Sequence, residues 1–380
     1  MRVAGDWIAA EPTQAVCAAL EAAGARALFV GGCVRNALLG VPVSDIDIAT
    51  DAEPETVARI AVAAGFRVVP TGIDHGTVTV IAGGIPHEIT TFRRDVETDG
   101  RRAVVAFSRR IEDDAARRDF TMNALYADAR GQVIDPLGGL PDLLARHLRF
   151  VADPGQRIRE DYLRILRFFR FHAIYGDPEG GIDAEGLAAC AALADGIAGL
   201  SAERIGAEMR KLLAAPDPAP AVAAMAQAGV LAHVLPGGDA RALAPLVHLE
   251  GGRPPRWLRR LAVLGGADVA DLWRLSRHEA RDLHHLRDAL GGMQSPAVLG
   301  WRLGADLAAD AVLARAAVLE SPLPADWQAE IARGAAAVLP VAAADLMPGL
   351  QGAALGAALK AMESRWLQSD LRLGRDELLG

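Results

Sequence analysis

The sequence predicts an α+β protein in which a head with a mixed sheet is followed by an all-helical neck, body and tail. Short apolar runs with strand-like alternation recur up to about residue 150. From Asp153 onward helical patterns dominate, and alanine, the strongest helix former, is abundant. With 380 residues, 51% of them apolar, the chain is long enough for two or more domains. We therefore expect a head at residues 1–150, a neck at 151–215, and a body and tail at 216–380.

A glycine turn near the N-terminus joins a short strand to a helix. Leu28–Val30 is the predicted strand, Gly31 and Gly32 form the turn, and Cys33–Leu39 is the predicted helix. Glycines at such a turn let backbone N–H groups approach a phosphate, and the helix N-terminus adds a favourable partial charge. The turn therefore suggests phosphate binding, although a Gly-Gly pair before a helix is also common as a turn alone.

Two aspartates, Asp45 and Asp47, follow on a second predicted strand. Residues at i and i+2 of a strand lie on the same side of the sheet, where two carboxylates repel each other. Mg²⁺ is the natural ion to hold between them, because it takes hard oxygen ligands and shares them with phosphates. A solvated strand edge or a cap would also explain an isolated Asp-x-Asp. Placed after the Gly-Gly turn, the pair resembles the signature of polymerase-beta-type nucleotidyltransferases.

Further helices and strands are predicted around this motif. The helices cover Pro12–Ala23 and Pro54–Ala64, and the strands cover 66–69, 77–81 and 86–92, the last two forming a hairpin. Glu88, on the returning strand, is either a third acidic residue near the aspartates or an exposed cross-strand partner.

The segment after this hairpin is predicted to be less regular. Arg93–Ala106 is polar and charged, and we interpret it as a mobile loop. A strand is predicted near Val133–Ile134, and Gly138-Gly139 then leads into an amphipathic helix.

A second motif, RRDFTMNAL, covers residues 117–125. Arg118 is a candidate to grip a triphosphate through the planar donor fork of its guanidinium. The alternative is a solvated helix start capped by Asp119 or Thr121.

A third motif is predicted to lie on a single helix from Arg157 to Phe171. Asp161, Arg164 and Arg167 recur at i, i+3 and i+6, so they can line one surface. A carboxylate that accepts beside a guanidinium that donates would pair with cytosine or adenine and would leave unsatisfied groups against uracil or guanine. Asp161 with Arg164 is thus a candidate protein template for CTP and ATP, whereas the alternative is an ordinary i,i+3 salt bridge.

Together these motifs resemble the class II tRNA nucleotidyltransferases, the family of CCA-adding enzymes that also contains bacterial poly(A) polymerases. The resemblance extends from about Leu28 to Leu213. It rests on GGCVR (31–35), DID (45–47), RRDFTMNAL (117–125), Gly138-Gly139, EDYLR (160–164) and SAERI (201–205) through Glu208.

The resemblance implies a site, a reaction and partners. Asp45 and Asp47 would be catalytic and would hold two Mg²⁺ ions, which activate the RNA 3′-hydroxyl and steady the triphosphate while pyrophosphate leaves. The tRNA 3′ end, CTP and ATP are the implied partners, and Arg93–Ala106 corresponds to the loop that switches addition from C to A. The implied nucleotide contacts are Gly31, Gly32, Arg35, Arg118, Asp161, Arg164, Arg167 and Arg170.

One position departs from the family pattern. Asn36 stands where an Asp usually follows Val-Arg, which removes a charge but leaves both predicted metal ligands in place.

Composition limits the remaining possibilities. The net charge of −8 argues against a protein that coats nucleic acid along its whole surface, but allows a local basic groove. Three widely separated cysteines fit a reducing cytoplasm, and we expect neither a membrane span nor an obligate protein partner. Two arginine-rich segments, near residues 253–260 and 274–281, are either basic faces toward tRNA phosphates or ordinary solvated helix surfaces.

Other functions also remain open. A poly(A) polymerase would use ATP alone on varied RNA ends, a partial enzyme would add only CC or only A, and a catalytically silent relative would bind RNA without extending it. The intact candidate loop argues against CC-only addition, and the retained aspartates argue against a silent relative.

Overall fold

The computed structural model describes residues 1–70, 72–73, 76–99 and 102–380, which form two compact units. The first contains residues 1–200 and 228–233, and the second contains residues 201–227 and 234–380. The first carries all the strands in the described part of the chain, and the second is helical. The predicted α+β class is therefore confirmed, while the finer division into head, neck, body and tail stays a prediction.

A mixed sheet forms the centre of the first unit. Its order is β3-β4-β5-β2-β1-β8-β9, and every neighbouring pair is antiparallel except β2 and β5, which are parallel. The strands are β1 (Leu28–Val30), β2 (Ile46–Thr50), β3 (Arg67–Val69), β4 (Thr77–Ala82), β5 (Ile85–Thr91), β6 (Arg93–Asp99), β7 (Arg102–Phe107), β8 (Tyr126–Asp128) and β9 (Val133–Ile134).

The predicted mobile loop at Arg93–Ala106 is instead a β-hairpin. Strands β6 and β7 pair antiparallel as a separate two-stranded sheet, and residues 100–101 between them lie outside the described residues. The β-branched residues in RAVVAF favour an extended backbone, and the ladder satisfies N–H and C=O groups that a loop would leave to water. The polar composition of β6 concealed this pairing.

An aromatic cluster joins the head to the helix at Leu163–Tyr175. The cluster contains Phe120, Phe150, Phe168 and Phe171, with ring centroids 4.9 to 6.3 Å apart. The helices are α1 (Asp6–Ala9), α2 (Glu11–Ala22), α3 (Gly32–Leu39), α4 (Pro54–Ala63), α5 (Ile111–Ala116), α6 (Leu140–Leu144), α7 (Pro154–Glu160), α8 (Leu163–Tyr175) and α9 (Ala184–Ala192).

The predicted single helix from Arg157 to Phe171 is wrong, because the chain breaks at Asp161. Helix α7 ends at Glu160, Asp161 is extended with φ −155° and ψ 104°, and α8 begins at Leu163. The Asp161 carboxylate accepts a hydrogen bond from the Leu163 N–H, so the residue acts as a local cap for α8 rather than as a helix-interior residue.

The second unit is built from helices. None of the helices in the described residues has both the length and the apolar character needed to span a bilayer. The remaining helices along the chain are α10 (Ala202–Leu213), α11 (Ala219–Gln227), α12 (Val230–Val234), α13 (Leu243–Glu250), α14 (Trp257–Leu264), α15 (Val269–Leu272), α16 (Arg277–Gly291), α17 (Pro296–Val318), α18 (Trp327–Ala336), α19 (Ala343–Leu346), α20 (Gly352–Gln368) and α21 (Arg375–Leu379).

Two arginines that the sequence suggested for a basic surface are buried in this unit. Arg259 and Arg260 are 3% and 1% exposed and pair with Glu250, and Arg259 also pairs with Asp310. The interpretation that Arg259 and Arg260 belong to a basic face toward tRNA phosphates is therefore wrong. Helix α14 lies against α10, α13, α16 and α17, so its arginines meet buried carboxylates instead of solvent.

Candidate active site

Three acidic residues lie at or near one end of the parallel pair of strands β2 and β5. Asp47 lies within β2 between the buried Ile46 and Ile48, and Asp45 is exposed immediately before that strand. The parallel register of β2 and β5 places Asp47 directly opposite Glu88. The sheet thus brings a third acidic residue next to the predicted pair.

The charges of this acidic group are not balanced by the protein alone. Burial together with the nearby charges of Glu88 and Asp45 raises the pKa of Asp47 to about 6, although Arg118 acts in the opposite direction. Such a shift marks a carboxylate that lacks a full counter-charge. In the described residues no three His, Cys, Asp or Glu side chains form a ready metal cage. The donors present fit Mg²⁺, which takes one or two carboxylates and completes its shell with water and phosphates.

The glycine turn lies beside an arginine. Gly31 has φ 68° and ψ −117°, a conformation that L-residues rarely adopt, and α3 begins directly after it. A Cβ added at Gly31 would lie 3.2 Å from Nη1 of Arg118. The guanidinium of Arg118 therefore lies directly against the turn at the start of α3.

Arg35 is a buried cation whose hydrogen-bond partners are neutral. Its guanidinium donates to Oδ1 of Asn123 at 2.5 Å, to Oδ1 of Asn36 at 2.8 Å and to the Tyr175 hydroxyl at 2.7 Å. It also stacks on the Tyr175 ring, 4.0 Å from the centroid. Because burial lowers the pKa of Arg35, this charge also lacks full compensation.

Asn36, at the position where the family usually has Asp, contacts Arg35. Its Oδ1 accepts from both Nε and Nη2 of Arg35, and its Nδ2 donates to the Pro42 carbonyl. The side chain therefore orients Arg35 without neutralising it.

Arg118 is fixed by two residues that the sequence analysis did not select. Its Nη2 donates to Asp114 at 3.0 Å, and its Nε donates to the Tyr126 hydroxyl at 3.2 Å. Burial alone would raise the pKa of Asp114, but Arg118 and Arg117 hold it below its ordinary value. The spacing of Asp114 from Arg117 and Arg118, i+3 and i+4, was a signal for these pairs.

Asp119 connects the second motif to α8. Its Oδ2 accepts from Nε of Arg167 at 2.7 Å, and its Oδ1 accepts from Nδ2 of Asn123 at 2.9 Å. Asn123 in turn binds Arg35, so one chain of hydrogen bonds links α8 to α3. Asp119 does not cap a solvated helix; it is 8% exposed and orders the arginines around it.

Arg164 is held in place by backbone and by an acid from the preceding helix. Its Nη1 donates to the Arg157 carbonyl at 2.8 Å and to Glu160 at 2.6 Å, and its Nη2 donates to the Arg117 carbonyl at 3.0 Å. Glu160, from the preceding helix, therefore forms an ion pair with Arg164.

Three arginines gather around one aromatic ring. The guanidinium carbons of Arg35, Arg167 and Arg170 lie 5.1, 5.1 and 4.4 Å from the centroid of Phe171. Asp119 balances the charge of Arg167 in this cluster, and the cluster makes the surroundings of the ring locally positive. The ring and its position in α8 were not singled out from the sequence.

Two family models match the chain. Residues 27–149 match a poly A polymerase head domain, and residues 181–241 match a probable RNA and SrmB-binding site of polymerase A. The first match contains both aspartates, the glycine turn and the second motif. The polymerase-beta-like nucleotidyltransferases that this head resembles typically use divalent metals.

Curated relatives match at moderate identity. The CCA-adding enzyme of Geobacillus thermodenitrificans is 38% identical over 310 residues, which cover 81% of this chain and 70% of that enzyme. The human mitochondrial CCA tRNA nucleotidyltransferase 1 is 45% identical over 186 residues, or 49% of this chain and 43% of that protein. The match thus spans less than half of the human protein.

Solved structures share the fold. The CCA-adding enzyme of Bacillus stearothermophilus in complex with CTP aligns with a TM-score of 0.76 at 30% identity, covering 95% of this chain and 93% of that one. The Thermotoga maritima CCA-adding enzyme in complex with tRNA aligns with a TM-score of 0.69 at 19% identity, covering 100% and 97%. At that lower identity the second likeness concerns the fold alone.

Proposed function

This chain belongs to the CCA-adding enzyme and poly(A) polymerase family, and on that premise we propose that it adds C, C and A to the 3′ end of tRNA from CTP and ATP, releasing pyrophosphate. The observation that carries this proposal is the placement of the acidic group beside the glycine turn and Arg118. This arrangement suits an anionic nucleotide that arrives with a divalent cation.

Asp45 and Asp47 would hold the metal, and Glu88 adds negative charge beside them. Bound Mg²⁺, expected as two ions, would lower the pKa of the RNA 3′-hydroxyl and neutralise charge on the triphosphate. The protein contributes a rigid strand pair that keeps the carboxylates together before a ligand arrives.

The triphosphate would bind at the glycine turn. Gly31 and Gly32 open the N-terminus of α3, where backbone N–H groups point outward. Arg118 and Arg35 lie near this turn and are oriented by hydrogen bonds inside the head. Since their positions are set in advance, little order is lost when a phosphate binds.

Base selection would fall to Asp161 and Arg164, with Arg167 and Arg170 nearby on α8. At the break between α7 and α8, the Asp161 carboxylate is held at the start of α8 by the Leu163 N–H. Arg164 is fixed by Glu160 and two carbonyls, so it cannot swing to accommodate a different base edge. A carboxylate acceptor beside a fixed guanidinium donor favours cytosine and adenine over uracil and guanine.

The remaining parts of the chain support the proposal less directly. The hairpin at Arg93–Phe107 occupies the place of the segment that we expect to switch addition from C to A. The match of residues 181–241 to an RNA-binding model supports RNA contact in the helical part. Cytoplasmic location is also proposed, in keeping with Cys17, Cys33 and Cys190, which are free and buried thiols.

A tRNA that lacks its three terminal nucleotides tests the function. The substrate is offered with CTP, with ATP, with both, or with UTP and GTP, and product length is read on a sequencing gel. We expect two added residues with CTP and three with both nucleotides. A long tail made from ATP alone, on tRNA and unrelated RNA alike, would instead identify a poly(A) polymerase. Two residues with both nucleotides would identify a CC-adding enzyme.

Asp47→Asn tests the proposed chemistry. We expect incorporation to fall by about a thousandfold or more, since the change removes a proposed metal ligand. Asp51→Asn is the matched control, because Asp51 follows the other end of β2 and its Oδ1 accepts from the Arg26 N–H at 2.8 Å, a contact that the Asn side-chain oxygen can keep. Near-normal turnover by Asp47→Asn, with the fold retained by circular dichroism, would refute this mechanism.

A further inference from the structure

We propose that Tyr126 and Asp114 are positioning residues that aim the Arg118 guanidinium at the phosphates of the incoming nucleotide. The inference rests on the proposed function, since it assigns the binding of a triphosphate to the glycine turn. It adds two residues outside the predicted contacts, and both act through Arg118.

The three side chains form a closed set of hydrogen bonds. The Tyr126 hydroxyl donates to Oδ2 of Asp114 at 2.7 Å and accepts from Nε of Arg118 at 3.2 Å. The same Oδ2 accepts from Nη2 of Arg118 at 3.0 Å. Tyr126 and Asp114 are 0% and 1% exposed, so protein groups rather than bulk water satisfy their polar atoms.

This arrangement fixes the direction of the guanidinium. Two of its nitrogens, Nε and Nη2, are directed at the buried hydroxyl and carboxylate, which leaves Nη1 on the side of the glycine turn. Nη1 lies 3.4 Å from the Asn123 carbonyl, at the outer limit of a hydrogen bond, and 3.2 Å from the place of a Cβ on Gly31. Nε and Nη2 of the Arg118 guanidinium are therefore held by the protein, while Nη1 faces the proposed phosphate site.

The backbone anchors this set beside the turn. Tyr126 is the first residue of β8 and pairs with Val30, the residue before Gly31. The Gly31 N–H also donates to the carbonyl of Leu125 at 3.1 Å. The hydroxyl that orients Arg118 thus belongs to a residue of the same strand pair that leads into the turn.

Tyr126→Phe isolates the positioning role, because it removes one oxygen and keeps the ring, whose centroid lies 5.4 Å from the Arg118 guanidinium carbon. Affinities for CTP, ATP, CMP and inorganic pyrophosphate are measured by calorimetry with Mg²⁺. We expect CTP, ATP and pyrophosphate to bind about threefold to tenfold more weakly, the loss that one hydrogen bond produces. CMP affinity should change much less, since CMP lacks the β- and γ-phosphates that CTP, ATP or pyrophosphate would offer to Arg118.

Thr91→Val is the matched control. Thr91 is also buried in the head, and its hydroxyl donates to the Ala52 carbonyl at 2.7 Å. Thr91 pairs with Thr50, at the other end of the β2–β5 pairing from Asp47 and Glu88. We expect this variant to lose a similar amount of thermal stability without any loss of pyrophosphate affinity. An equal affinity loss in both variants would assign Tyr126 a merely structural role and overturn the inference.

A double-mutant cycle with Arg118→Ala completes the test. If Tyr126 acts through Arg118, adding Tyr126→Phe to Arg118→Ala should not weaken pyrophosphate binding further. Additive losses, or unchanged pyrophosphate affinity in Tyr126→Phe, would overturn the inference. Failure of the proposed function would be seen separately, as a wild-type protein that binds pyrophosphate but does not extend tRNA with CTP and ATP.

Discussion

Arg260→Met is expected to destabilise the helical unit strongly. Arg260 is among the largest fully buried side chains, and its guanidinium donates to Glu250 and to the carbonyls of Leu213, Ala215 and Pro216. Those carbonyls lie at and just beyond the end of α10, where helix carbonyls lack intrahelical partners. Methionine fills much of the same space but supplies no donor.

The expected loss is about 4 kcal/mol, because removing one partner of a buried ion pair typically costs 3–5 kcal/mol. Glu250 keeps Arg259, whose Nη2 lies 2.6 Å from Oε1, which places the loss below the upper end of that range. The three carbonyls also lose their charged hydrogen-bond donor in a buried site, which adds to the decrease in the free energy of unfolding. An effect of about 4 kcal/mol is a large fraction of the 5–15 kcal/mol that stabilises a typical domain.

Urea unfolding followed by circular dichroism at 222 nm measures this loss. With an m-value of about 2–3 kcal/mol/M, the midpoint should fall by roughly 1–2 M. Arg277→Met is the control, since Arg277 is exposed at the start of α16 and should change stability by less than about 0.5 kcal/mol. An Arg260→Met midpoint within about 0.2 M of wild type would refute this reasoning, whose expected shift is several times larger.

Two further predictions concern the head. Gly31→Ala should lower kcat/KM for CTP incorporation at least about tenfold. Gly31 has φ 68°, which alanine adopts only with strain, and the new Cβ would contact Arg118. Unchanged kcat/KM in steady-state kinetics would contradict this. Burial alone would raise the pKa of Asp119, but Arg167 holds it below its ordinary value. Asp119→Asn should therefore cost about 2–3 kcal/mol at pH 7. The difference should shrink as the pH falls below about 4, because the carboxylate binds protons in the unfolded chain before it does so in the folded one; a pH-independent difference in unfolding free energy would contradict this.

The elements around the glycine turn were predictable because each has a strong local signal. An apolar run bounded by Gly-Gly predicted β1 and α3, and both begin within one residue of the expected position. The pairing of β2 with β5 was not predictable, because it depends on contacts between residues about 40 positions apart. Glu88 therefore had two equally acceptable interpretations until the register placed it opposite Asp47.

Residues that act through others were harder to find than residues with a motif of their own. Asp114 had the i+3 and i+4 spacing of a helix-surface salt bridge, which is usually weak and exposed. Its importance comes from burial against Tyr126, which a one-dimensional pattern does not reveal. The break at Asp161 was hidden for a similar reason, since apolar spacing continues through it and no Gly or Pro marks the end of α7.

Two buried charged residues in the head, Asp47 and Arg35, lack a full counter-charge, whereas two others, Asp114 and Asp119, have one. Burial raises the pKa of Asp47 and lowers the pKa of Arg35, so the protein leaves both an anion and a cation in unfavourable surroundings. Elsewhere in the same head Asp114 and Asp119 have lowered pKa values, because arginines pair with them directly. The contrast separates two classes of buried charge: Asp114 and Asp119 are paired within the protein, whereas Asp47 and Arg35 lack a full counter-charge. A nucleotide triphosphate with its divalent cation carries charges of both signs, and it would relieve both at once.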